Sequence, residues 1–142
     1  MIETNWGGTR VEAWMPPAAL DICGIPDNVI ENNPQNSNSY LYNAMINPLV
    51  RMDIKGALWY QGEANSGWNR DDYQCTFPSM IESWRNTWAQ FTHTSHDFPF
   101  GFVQLATISK ILQITLFLNY YHLFASHTRE VINSYRTLSI RL

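Results

Sequence analysis

Two short apolar runs, IKGALWYQ (Ile54–Gln61) and FPFGFVQLA (Phe98–Ala106), flank a longer segment with a different period. A brief, mostly apolar run is the pattern of a buried parallel strand. Between them, DDYQCTFPSMIESWRNTWAQF repeats its apolar residues at three- or four-residue steps. Tyr73, Phe77, Met80, Ile81, Trp84, Trp88 and Phe91 therefore share one helix face. Asp71 and Asp72 suit the start of that helix, and Pro78 predicts a kink or a second start within it. Upstream, NSNSYLYNAMINPLV (Asn36–Val50) predicts another helix, capped by Ser37, Asn38 or Ser39 and disrupted near its end by Pro48. TNWGGTRVEAW (Thr4–Trp14) reads as a strand end, a Gly-Gly turn and a helix start, ended by Pro16-Pro17. Residues 21–36 and Gly62–Arg70 read as polar loops. The order of strand end, helix, strand, helix, strand predicts an α/β fold with a parallel sheet.

The pattern changes after residue 106. Ile111–Leu142 contains no Gly, Pro or Asp. Its most apolar part, Ile111–Ala125, is interrupted by Gln113, Asn119 and His122 and is too short for a membrane span. The period is mixed and favours neither helix nor strand. The chain thus divides into 1–106 and a divergent apolar tail, 107–142.

With 142 residues the chain is sized for one domain. Hydrophobic residues make up 45% and charged residues 15%, which excludes a disordered polyelectrolyte. Six Trp are enough for a thick core or a sugar-stacking surface. A net charge of −3 without a basic patch argues against nucleic acid as a partner. Cys23 and Cys75 allow one disulfide or two free thiols, and the sequence leaves both open. No Cys/His spacing suggests a metal, and no cofactor is expected. MIETNWGG lacks a basic start and an apolar core, so the chain as written is expected to stay in the cytosol.

TNWGGTRVEAW, NSNSYLYNAMINPL, KGALWYQGEANSGWNRDDYQCTFPSMIESWRNTW and FPFGFVQLA, in that order, resemble successive blocks of the sialate O-acetylesterase family of SGNH-type esterases. The resemblance covers Ile2 to Ala106. It implies part of a three-layer α/β/α fold and a serine-dependent acyl transfer from O-acetylated sialic acid, with no cofactor. It also implies a lysosomal or secreted parent, with cytosolic forms known. The oxyanion of the tetrahedral intermediate needs hydrogen-bond donors. By resemblance these are the backbone of Gly7 or Gly8 and the side-chain amide of Asn65. Gln61, Glu63, Trp59 and Trp14 are the candidate substrate-binding residues. A carboxylate pointing at an oxyanion would repel it, so Glu63 is expected to bond the loop backbone or Arg10 instead.

Two family features are absent from the sequence. No Gly-x-Ser occurs for a nucleophile, and no Asp-x-His or Asp-x-x-His for a base. The expectation is a central slice of the enzyme that is inactive alone. The alternative is a non-enzymatic glycan-binding or regulatory truncated isoform that uses the Trp-rich loops. Plainer readings stand beside these. Asn65 and Gly7-Gly8 also suit ordinary turns, the aromatic stripe suits a core, and Trp14, Trp59 or Trp68 stacks on a sugar only if exposed. A glycosidase-like pair of Glu63 with Asp71 or Asp72 is disfavoured, since nothing places them on opposite walls.

Overall fold

A computed structural model of the chain describes residues 1–105, 115–117 and 138–141. Both apolar runs form strands: β2 is Gly56–Trp59 and β3 is Phe100–Gln104. They pair in parallel, with Ala57 opposite Phe100 and Trp59 opposite Phe102. Close approach explains the glycine that opens β2, because a Cβ on Gly56 would lie 2.8 Å from the Pro99 carbonyl oxygen. The N-terminal strand end is β1, Ile2–Thr4. The tail supplies β4, Thr115–Phe117, and β5, Leu138–Arg141. The sheet order is β1-β5-β2-β3-β4. β5 lies antiparallel to both β1 and β2, so β1, β2 and β3 run in one direction. β4 is antiparallel to β3. The expected parallel pair is present and is flanked by antiparallel tail strands that the tail's mixed period did not announce. The rest of the tail lies outside the described residues.

The aromatic stripe forms one helix. Pro17–Ile22 is α1, Glu63–Ser66 is α2 and Tyr73–Phe91 is α3. Pro78 neither ends nor restarts α3. It sits in the second turn, where its missing N–H forfeits one helical bond. Met80, Trp84 and Trp88 are fully buried. Phe91, at the end of the stripe, is 47% exposed, with the Arg51 guanidinium 5.2 Å from its ring centre. The two indoles of α3 bury their N–H groups with partners: Trp84 Nε1 donates to the Trp14 carbonyl and Trp88 Nε1 to that of Met52, both at 3.1 Å, whereas the buried Trp59 N–H has no acceptor among the described residues. Trp59 meets Trp14 and Trp84 edge-to-face at 5.9 and 5.8 Å. These rings fill the space between α3 and the sheet.

Other expectations are corrected. The single capped helix over Asn36–Val50 is a series of short turns. A 3-10 turn at Pro34–Asn36 precedes a π-helical turn at Tyr42–Ile46 and a second 3-10 turn at Asn47–Leu49, none with a side-chain cap. Pro48 cannot donate a backbone N–H, so regular i-to-i−4 bonding fails there and looser and tighter turns replace it. Pro17 does not end a unit; it opens α1, where a missing N–H and a fixed φ are tolerated. α1 runs into the start of the presumed loop 21–36, and the loop Gly62–Arg70 contains the one-turn α2. Cys23, just after α1, is disulfide-bonded to Cys75 in the first turn of α3. Among the described residues no helix is long and apolar enough to cross a membrane.

Candidate functional site

A pocket with about 490 Å³ of empty space, part of it open to solvent, lies where β1 and β2 end. One wall is the turn after β1, from Thr4 to Thr9; the other is the chain leaving β2, from Trp59 to Ala64. The carboxyl ends of parallel strands are where α/β folds bind ligands, because the connecting loops are free to vary there. Gly8 has φ +74°, a conformation that side chains resist and glycine adopts freely. The N–H groups of Gly7 and Gly8 have no hydrogen-bond acceptor among the described residues. The turn carrying them is braced. Thr9 Oγ1 donates to the Trp6 carbonyl at 2.7 Å and accepts from Trp14 Nε1 at 3.0 Å, while the Thr9 carbonyl accepts from Gln61 Nε2 at 3.0 Å.

A buried polar network stands behind the pocket. Asn65, only 2% exposed, accepts from the Val11 N–H at 2.9 Å and from Gln61 Nε2 at 2.6 Å. Its own amide donates to Glu12 Oε2 at 3.0 Å and, more weakly, to the Trp68 carbonyl at 3.4 Å. Glu12 is fully buried and takes a second bond from Asn69 Nδ2 at 3.1 Å. Tyr73 Oη donates to Gln61 Oε1 at 3.1 Å. Burial pushes the Tyr73 phenol up to about 12; the neighbouring Trp59 opposes this, while Glu63 and Glu12 add to it. The network ties the β1 turn to the loop after β2 across more than fifty positions of sequence.

Arg10 lies on the far side of this network, 1% exposed. Its backbone N–H donates to Asn36 Oδ1 at 2.8 Å, and its guanidinium donates to the Asn36 carbonyl. The Trp68 ring centre is 4.5 Å from the guanidinium carbon, so that ring covers a cation. Burial lowers the Arg10 pKa and nearby Glu12 opposes the shift.

The structure sorts the predicted residues into two groups. Gly7, Gly8, Trp14, Trp59, Gln61 and Glu63 all line the pocket. Trp14 and Trp59 are each only 3% exposed, however, and are locked into the aromatic core. Asn65 is behind the wall rather than on it, with both amide hydrogens engaged. Glu63 is exposed at the start of α2. Its carboxyl group bonds neither the loop backbone nor Arg10 among the described residues; the carboxyl group that holds the loop is that of Glu12. Glu12, Thr9, Tyr73 and Trp6 were missed. The one available signal was their position within or next to the matched blocks. No group of three or more His, Cys, Asp or Glu able to hold a metal ion occurs among the described residues.

Comparison with known proteins then bears on the whole arrangement. The family model described as carbohydrate esterase, sialic acid-specific acetylesterase matches residues 1–134. The chain belongs to this family. Its curated relatives include sialate O-acetylesterases from Homo sapiens and Pongo abelii, each 44% identical over 116 residues and covering 75% of this chain. The enzyme of that name from Mus musculus is 37% identical over 139 residues. The chain spans 22% of the human relative's length and 26% of the mouse one's. Membership makes the mixed sheet and its helices a partial SGNH-like α/β fold. In this chain, residues of the segments TNWGG and WYQGEA line the two walls of the pocket.

Proposed function

We propose that this part of the chain forms the oxyanion-holding side of an ester-hydrolysing pocket for O-acetylated sialic acids. The observation that carries this is the pair of N–H groups on Gly7 and Gly8, which have no acceptor among the described residues and belong to a braced turn lining the pocket. Attack on an acetyl ester puts negative charge on the carbonyl oxygen. Donors fixed beforehand stabilise that charge without reorganising, and each is typically worth about 3–4 kcal/mol. Asn65 serves first as a positioning residue, holding Gln61 and the Val11 backbone. A direct donor role would use the hydrogen now given to the Trp68 carbonyl, the longest bond in its set. Gln61 and Glu63 face the bound sugar, and Trp14 and Trp59 form the floor.

The sequence has no Gly-x-Ser and no Asp-x-His. Loss of either nucleophile or base from a triad enzyme can cost on the order of 10⁶ in turnover. The chain by itself is therefore proposed to bind the acetylated sugar without hydrolysing it. The test is titration of the chain with 9-O-acetylated sialic acid and with its deacetylated form, followed by amide NMR, with acetate release measured in parallel. The Gly7 and Gly8 amides are expected to shift with the acetylated sugar, and no acetate to appear. No shift at millimolar sugar overturns the pocket assignment; acetate release overturns the proposed inactivity.

A further inference from the structure

We propose that Trp6 is the aromatic platform against which the sugar of the acetyl ester packs; this deepens the function proposed above and rests on it. Four aromatic residues line the pocket: Trp6, Trp14, Trp59 and Tyr60. Trp14 and Trp59 are 3% exposed and spend their faces and edges on each other, on Phe77 and on Trp84. Trp68, outside the pocket lining, has its face covered by Arg10. Trp6 alone among these tryptophans is both part of the pocket and 46% exposed, with no aromatic or cationic partner among the described residues.

Placement and rigidity support the same role. Trp6 immediately precedes Gly7 and Gly8 and lines the same pocket, so a sugar packed on its indole lies beside the turn that carries their N–H groups. The Trp6 carbonyl is held by Thr9 Oγ1, which is held in turn by the buried Trp14 indole. The backbone that carries the ring is thus fixed before any ligand arrives, which lowers the ordering cost of binding. A pyranose offers a face of C–H bonds and, in an N-acetylated sugar, a methyl group. Both suit the electron-rich face of an indole and not a charged side chain. An apolar ring left exposed beside a polar pocket matches an acylated sugar better than a fully polar one.

The experiment uses the full chain and follows its six Trp indole N–H signals by NMR during titration with 9-O-acetylated sialic acid. The Trp6 signal is assigned by its absence in Trp6→Phe. It is expected to move with saturation, while the Trp84 and Trp88 signals stay still. Trp6→Ala is expected to weaken binding about 3- to 10-fold, equivalent to about 0.7–1.4 kcal/mol; Trp6→Phe should recover most of it. Because Trp6 lies outside the buried core, the remaining indole signals verify that the variants fold. If the wild-type chain binds and Trp6→Ala binds equally well, or if the Trp6 indole does not move, the platform is overturned and the pocket assignment survives. If the wild-type chain does not bind the sugar, both fall together.

Discussion

Asn65 donates its side-chain amide to Glu12 across 3.0 Å, and neither residue reaches solvent to any useful extent. Fifty-three positions separate them. The bond holds the QGEAN loop against the turn that carries Gly7 and Gly8. Removing the acceptor strands the Asn65 and Asn69 amides. Glu12→Ala is expected to cost about 2–4 kcal/mol of stability, because a buried unpaired donor loses its full solvation. Glu12→Gln keeps one acceptor oxygen and should cost less. Urea midpoints of the two variants decide the order; Glu12→Gln falling as far as Glu12→Ala would show that the hydrogen bond is not the source of the loss.

The two adjacent glycines should respond differently to one methyl group. A Cβ on either meets nothing within 4 Å, but Gly8 has φ +74° while Gly7 is not in the left-handed region. Gly8→Ala is expected to cost about 1–2 kcal/mol through backbone strain alone. Gly7→Ala should stay within about 0.5 kcal/mol of wild type. Thermal melts of the pair test this, and equal losses would mean that crowding matters more than conformation.

The disulfide closes a long loop, since Cys23 and Cys75 are 52 positions apart. Chain-entropy arguments assign such a closure about 4 kcal/mol. Denaturation with and without reductant should show a drop of that order, and Cys23→Ser/Cys75→Ser should match the reduced chain. Insensitivity to reductant would mean that the cross-link is not closed in solution.

Alkaline pH should weaken the fold through Tyr73. Its phenol titrates near 10 when unfolded and is pushed up to about 12 in the structure, chiefly by burial. The folded chain therefore holds this proton more tightly. The contribution is complete below pH 10 and is lost as pH rises towards about 12. Stability measured across that window should fall less steeply in Tyr73→Phe than in wild type. Identical slopes would place the titration elsewhere.

Local periodicity made some of this architecture legible. β2, β3 and α3 follow from runs of apolar residues and from the spacing of Tyr73 through Trp88, because these elements bury what they repeat. The glycine turn and the Gln61–Asn65 loop were visible as composition. What escaped was set by distance. A glutamate reads as a surface residue until Asn65 and Asn69 arrive to satisfy it. The sequence leaves Trp14, Trp59 and Trp68 in the same class, and only packing reveals that the first two are buried while the third is exposed with Arg10 against its ring. The hydrogen bond expected from Glu63 to the loop backbone or Arg10 is not formed among the described residues, for a related reason. At the start of a one-turn helix its side chain faces water, and the buried work of bonding the loop falls to another carboxyl group.

The Cys23–Cys75 bond also ties the molecule's sturdiness to its route through the cell. Thiols stay reduced where glutathione and thioredoxin dominate, and pair in the lumen of the secretory pathway. A copy that matures in the cytosol would leave α1 and α3 joined by packing alone, whereas a luminal copy would carry a covalent rivet between them. One sequence would then have two stabilities, higher where the disulfide is closed and lower where the thiols stay reduced.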